Sequence, residues 1–238
     1  MVYLANTIQI FEQFEEIAAS LSVEIPAPLQ RQIDLLKEDF SISLNSFYAK
    51  DAIKHSKITK KTEKFAHDYY AVKIYQILKS LYQLNPSETK KLIRLMVHIQ
   101  NQIPYSLNPQ DEFKNPYPQF LLFSQAYHAN HFSSKAQRDG VSGRVLDEIV
   151  EHLRTHAISP DDLRVNIYFA PFHNELKPFV YNNRTWVVFS KSEMDATRIV
   201  PVIPTQDLLN RIIKMPATHN PSIIRDESTG FETSSLKR

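Results

Sequence analysis

The chain has no cysteine and only three glycines, Gly140, Gly143 and Gly230, in 238 residues. Without cysteine there are no disulfides, thiolate zinc sites or cysteine nucleophiles, which excludes cysteine proteases and deubiquitinases. Glycine lets backbone approach a phosphate closely, and its scarcity argues against phosphate-cradling and dinucleotide loops. No cofactor is expected. Nowhere do about eighteen apolar residues follow one another, so no membrane-spanning helix is expected. The first turns carry Glu12, Glu15 and Glu16 and lack a basic start before an apolar run, unlike a secretory signal peptide. Excess charge of one sign is missing as well: the formal balance of +2 gives no global pull toward nucleic acid or membrane.

What is present is enough apolar material, 42% of residues, to bury a core in one large domain or two small ones. Ile10, Phe11, Phe14, Ile17 and Leu21 recur at helical spacing, predicting a helix over about 7–22. Pro28 reads as a first-turn proline of a second helix over about 27–41, with Leu29, Ile33, Leu36 and Phe40 on one face. A long amphipathic stretch from Thr62 through Leu81 and Tyr82 stops at Asn85-Pro86, and a capped helix then carries Leu92, Leu95, Met96 and Ile99. Four prolines between Pro104 and Pro118 predict an irregular connection, followed by a helix over about 119–130. Ser142 is placed to cap a helix whose apolar face is Val145, Leu146, Ile149, Val150 and Leu153, ending near Ala157.

Past Pro160 the period changes from helical to alternating. Val165, Ile167 and Phe169 predict a strand, and Phe179–Tyr181 with Thr185–Phe189 predict a hairpin turning at Asn182-Asn183-Arg184. Trp186, the only tryptophan, falls mid-hairpin, as a core aromatic or as part of one sticky sheet face. Ile199–Ile203 reads as an edge strand because Pro201 and Pro204 cannot donate to a central ladder, and Thr205 as the cap of a helix through Ile213. The last residues hold too few large apolar groups to offset ordering entropy. The expected organisation is a helical region, 1–157; a small hairpin and sheet layer with a closing helix, 158–215, packed on it as one domain; and a disordered tail, 216–238. The fold class is α+β, with helices first and a small antiparallel sheet second.

Three constellations bear on function. Between Phe47 and Ser80, eight lysines stand against three acids, a local +5, with Phe47, Tyr48, Phe65, Tyr69, Tyr70 and Tyr75 among them. A basic surface with aromatic faces suits nucleic acid, through Lys57, Lys60, Lys61 and Lys64; the plainer account makes the aromatics core and the lysines a solvated face. Glu148, His152 and His156 step by four along the predicted helix as metal-ligand types, with His128 or His131 as the nearest further ligand. Helical geometry spreads the three over about 80°, and histidines near a helix carboxyl end are otherwise solvated or capping. Ser142, in Gly140-Val141-Ser142-Gly143, lacks the spacing of a nucleophile turn. Arg138, Asp139 and Arg144 around it suit an anion at the helix amino end.

Pro160-Asp161-Asp162 followed by Glu175-Leu176-Lys177 resembles the motif of the restriction-endonuclease-like nucleases. That resemblance implies magnesium held by Asp161 and Glu175 at adjacent strand ends, with Lys177 orienting the attacking water. It departs from the motif where a whole strand separates the halves and Pro178 follows the lysine; Asp161 and Asp162 also read simply as a cap cluster. Arg225–Thr229 and Glu232–Leu236, acidic and rich in Ser and Thr with a late apolar residue, resemble the carboxyl-terminal translocation signals of type IV secreted bacterial effectors. That implies export; the absence of cysteine suits a reducing cytoplasm, the expected location. Absent motifs favour a non-catalytic binding or effector-type protein recognising another protein. Nucleic-acid binding through the 50–79 helix and magnesium-dependent cleavage are the alternatives.

Overall fold

The computed structural model describes residues 2–22, 24–54, 56–84, 89–103, 121–124, 127–129, 132, 141, 143–172, 174–213, 223–226 and 230–232. The fold is α+β: four helices come first, and strands and shorter helices follow. Two compact units are formed, Met1–Asn45 with Lys54–Phe113, and Ser46–Ile53 with Lys114–Arg238.

The first unit is built from α1 (Val2–Ser20), α2 (Ala27–Tyr48) as far as Asn45, α3 (Lys57–Leu84) and α4 (Thr89–Gln102). Its core follows the helical spacing, with Phe11, Phe14, Phe40 and Tyr70 buried. Phe11 stacks on Phe40 with ring centroids 4.0 Å apart, and Tyr70 stands edge-on to Phe40 at 5.2 Å. The Tyr70 hydroxyl donates to the Asp39 carbonyl at 2.9 Å, which satisfies the one polar atom of that ring. Three helices outrun their predicted bounds. α1 begins five residues early. α2 continues to Tyr48, past Ser43, which is buried like Phe40 and so does not break the buried face. α3 starts at Lys57, where Ser56 Oγ accepts from the Thr59 amide at 3.1 Å. Residues 85–88, the expected cap of α4, lie outside the described residues.

In the second unit a four-stranded mixed sheet has the order β1 (Leu122–Phe123), β4 (Glu175–Val180), β3 (Arg164–Phe172), β5 (Arg198–Pro201). β3 is antiparallel to β4 and parallel to β5, and β1 is parallel to β4. The sheet is therefore mixed, not purely antiparallel. Val165, Ile167 and Phe169 on one face of β3, and Tyr168 and Ala170 on the other, are all buried. β5 is an edge strand as expected. Beyond it, the Ile53 amide donates to the Pro204 carbonyl at 3.3 Å and the Ile203 amide to Ser46 Oγ at 3.0 Å. A short three-stranded sheet joins β2 (Tyr127–Ala129), β6 (Ile223–Asp226) and β7 (Gly230–Glu232).

Two element predictions are corrected. The hairpin is formed by β3 and β4, turning at Asn174 (φ 64°), and not by Phe179–Tyr181 with Thr185–Phe189. The latter run lies in helix α6 (Asn183–Ser192), with Thr185, Trp186, Val187, Val188 and Phe189 all buried. A continuous apolar run reads equally as a buried helix or a buried strand. Asn182 decides between them here: its Nδ2 donates to the Arg164 carbonyl at 2.6 Å and its Oδ1 accepts from the Asn166 amide at 2.7 Å. One side chain thus takes the β3 bonds that a returning strand would need. The second correction concerns 119–130, where Leu122–Phe123 and Tyr127–Ala129 are strands and not helix.

Helix α5 (Leu146–Arg154) has Val145 as its N-cap with no side-chain cap bond; Ser142 lies outside the described residues. Helix α7 (Gln206–Ile213) follows the predicted cap, Thr205 Oγ1 accepting from the Leu208 amide at 3.2 Å. The 216–238 tail, expected to be disordered, contains β6 and β7; its other residues lie outside those described.

Candidate functional site

The lysine-rich stretch opens α3. Lys57, Lys60 and Lys61 are exposed, and Lys64 is half-exposed with its Nζ 2.5 Å from Asp68 Oδ2. Of the aromatics in the stretch, Tyr48 is exposed and Phe47 buried, both in the second unit; Phe65, Tyr69, Tyr70 and Tyr75 do not line the lysine surface and are buried in the core of the first unit. Stacking of bases on these rings is thereby removed, since their faces contact other side chains. The lysines form a solvated helix face.

Behind that face a chain of polar side chains braces α3 to α4. His67 Nδ1 lies 3.1 Å from Asp68 Oδ1, His67 Nε2 lies 3.0 Å from Gln102 Oε1, and Gln102 Nε2 lies 2.7 Å from His98 Nε2. Two proton arrangements satisfy the chain. With Gln102 as oriented, His67 donates through both nitrogens; with its amide reversed, Gln102 donates to a neutral His67 and accepts from His98. Burial pushes the Asp68 carboxyl up, but hydrogen bonds from His67 and Lys64 outweigh it and hold the group below the usual carboxylate range. Both nitrogens of His67 are engaged and its side chain is 3% exposed, so it offers no site to a substrate. Its role is to hold two helices in register.

Helix α4 is different in kind. Its Leu92, Leu95 and Ile99 are buried, yet Ile93 and Val97, one turn apart, are 43% and 46% exposed. Lys90 and Arg94 lie beside them on one side and Lys91 further round the helix, all exposed, and none makes an ion pair among the described residues. The helix contains no acidic residue. This face was not singled out from sequence. The signal available was two β-branched residues lying off the Leu92, Leu95, Ile99 stripe, in a segment with only cationic charge.

The nuclease constellation is not assembled. Asp161 sits in a 3-10 turn, Pro160–Asp162, before β3, capped by Ser159 with the reciprocal Asp162 bond. Glu175 pairs with Phe172 at the far end of that strand. Eight steps of strand separate Arg164 from Phe172, roughly 26 Å, so the two acids cannot share an ion. Lys177 pairs with Glu175 itself, and that hydrogen bond lowers the carboxyl of an exposed group. The Asp161 carbonyl accepts from Arg198 Nη1 at 2.9 Å, a structural contact.

The histidine stripe also fails to converge. α5 ends at Arg154, so His156 is not on the helix; it lies beyond the C-cap at φ 57°. Glu148 pairs with Arg144 at 2.9 Å. Among the described residues no group of three or more His, Asp or Glu is placed to hold a metal ion. The His128 side chain and all of Arg138, Asp139 and His131 lie outside the described residues.

One buried group in the sheet invites a chemical reading. The Tyr168 hydroxyl is buried without a hydrogen bond, as is Asn166 Oδ1 two residues earlier on the same face of β3. Burial pushes the phenol well above its ordinary value; nearby Ser124 opposes the shift without forming a well-directed bond. Ser124 is already engaged, its Oγ accepting from Asn183 Nδ2 at 2.7 Å and its amide donating to Asn183 Oδ1 at 2.9 Å. A phenol held protonated and inaccessible is neither base nor nucleophile.

No family model, curated protein or solved structure matches this chain. No helix among the described residues is long and apolar enough to cross a membrane. Among the described residues, α4 presents a surface with both apolar and charged character.

Proposed function

We propose that this is a non-catalytic binding protein that recognises another protein, with α4 as its contact face. The observation that supports the reading is the exposure of Ile93 and Val97 on a helix whose other aliphatic residues, Leu92, Leu95 and Ile99, are buried. Fully burying a Val or Ile side chain is worth about 1.5–3 kcal/mol. Covering the pair is thus a favourable contribution that remains available to a partner. The neighbouring cations supply orientation and encounter rate more than affinity. The cytoplasm is proposed as its location, in keeping with the cysteine-free composition. Export through the carboxyl-terminal segment rests on its resemblance to translocation signals.

The reading is tested by partner identification with the full chain and with an Ile93→Asp/Val97→Asp variant, then by calorimetry on the purified pair. At least a tenfold loss of affinity in the variant, with unchanged circular dichroism, is expected. An identical Kd for both proteins, or magnesium-dependent cleavage of DNA or RNA by the wild-type chain, overturns it.

A further inference from the structure

We infer that the α4 face takes an acidic amphipathic helix of a partner protein; this rests on the protein-binding reading above and specifies the chemistry of the partner. At 100° per residue, Lys90, Ile93, Arg94 and Val97 fall within an arc of about 100°, the width of one helix-on-helix contact. Ile93 and Val97 have the spacing of two successive anchors, which an opposing helix meets with its own apolar pair one turn apart. Lys90 and Arg94 then border the anchors on one side, where Glu or Asp on the incoming helix meets cations that make no ion pair among the described residues.

Charge decides among the other occupants. A second copy docking α4 against α4 brings four cations, Lys90 and Arg94 from each, to one seam, and like charges set side by side are strongly unfavourable. Nucleic acid matches the cations but not the anchors, because Ile93 and Val97 have no ring face on which a base stacks. An anionic membrane surface also matches the cations, yet interfacial helices insert Trp, Phe or Leu, and this face offers two short β-branched side chains.

The test uses the full-length protein and three probes: a labelled amphipathic peptide of about five turns with Leu on one face flanked by Glu, its twin with Lys replacing Glu, and phosphatidylserine–phosphatidylcholine vesicles. Fluorescence anisotropy should show that the acidic peptide binds and that its Kd rises at least about tenfold between roughly 50 and 300 mM salt. Ile93→Asp/Val97→Asp should abolish that binding. Lys90→Glu/Arg94→Glu should lose the acidic peptide and acquire its lysine twin, a switch that an unfolded variant does not produce. Equal binding of both peptides, still sensitive to Ile93→Asp/Val97→Asp, overturns the acidic partner and leaves α4 as a docking face. Peptide binding that survives those Asp substitutions, or no peptide binding at all, overturns the docking face with it. Binding to vesicles but to neither peptide replaces the protein partner with a lipid surface.

Discussion

Helices α4 and α6 contain the same kinds of aliphatic residue and dispose of them in opposite ways. In α6 the run Trp186-Val187-Val188-Phe189 is entirely buried. In α4 the buried stripe is carried by Leu92, Leu95 and Ile99, and Ile93 and Val97 are left in solvent. β-branched residues lose side-chain freedom in a helix and are weaker helix formers than Ala or Leu. Burial in α6 more than recovers that loss; exposure in α4 does not. Ile93 and Val97 therefore contribute little to folding, and on the proposed reading their worth lies in contact with a partner.

The largest expected effect lies on the α6 side. Trp186→Ala removes the bulkiest buried side chain of that helix and should destabilise the second unit by about 3–5 kcal/mol in urea denaturation. A loss below about 1 kcal/mol would show that α6 is not a core element and would end the contrast. Next comes the residue that makes the run helical. Asn182→Ala deletes the side-chain bonds to the Arg164 carbonyl and the Asn166 amide and should cost about 1–3 kcal/mol. Amide hydrogen exchange should quicken at Asn166 while the Val202 amide, which donates to the Ile167 carbonyl on the β5 side, keeps its protection. Unchanged exchange at Asn166 would show that the bond is not made in solution.

The same contrast explains how much could be read from residues alone. The first unit was legible because each helix repeats apolar residues every three or four positions and those positions are its core: Phe11, Phe14, Phe40 and Leu78 are all buried. Helix ends were less so. Ser43 interrupts the apolar stripe of α2 but is itself buried, so the helix ran on to Tyr48 past an apparently polar stop. In the second unit the deciding contacts are remote in sequence. Leu122–Phe123 become a strand by pairing with Phe179–Val180, and the helix after Asn182 depends on Arg164 and Asn166. No local pattern contains those partners. The candidate sites suffered likewise, because Asp161 and Glu175 share a motif-like order but are separated by the length of β3.

A smaller effect concerns the brace between α3 and α4, which positions the exposed pair. Asp68 titrates below its ordinary value in the folded protein. A carboxyl with a depressed folded pKa contributes stability above its unfolded value, about 3.9, and that contribution is lost as pH falls through the folded value. Asp68→Asn should therefore lower stability near neutral pH and flatten the fall in stability below about pH 4. Since Lys64 is well exposed, most of the effect should come from the His67 bond, and added salt should change it little. A pH profile for Asp68→Asn parallel to that of the wild type would show that the carboxylate gains nothing from its neighbours.

The smallest effect carries a sign rather than a size. Val188→Ala in α6 removes two buried methyl groups and should destabilise by about 2 kcal/mol. The same change at the exposed Val97 replaces a weak helix former with the strongest one, and should leave stability unchanged or raise it by a few tenths of a kcal/mol. Ile93→Ala should behave alike, and because one turn separates the two residues the double variant tests whether they also stabilise each other. A double variant at least as stable as the wild type, yet impaired in partner binding, separates recognition from folding on α4. A loss of more than about 1 kcal/mol would mean instead that the pair packs within the chain, and α4 would then belong with α6.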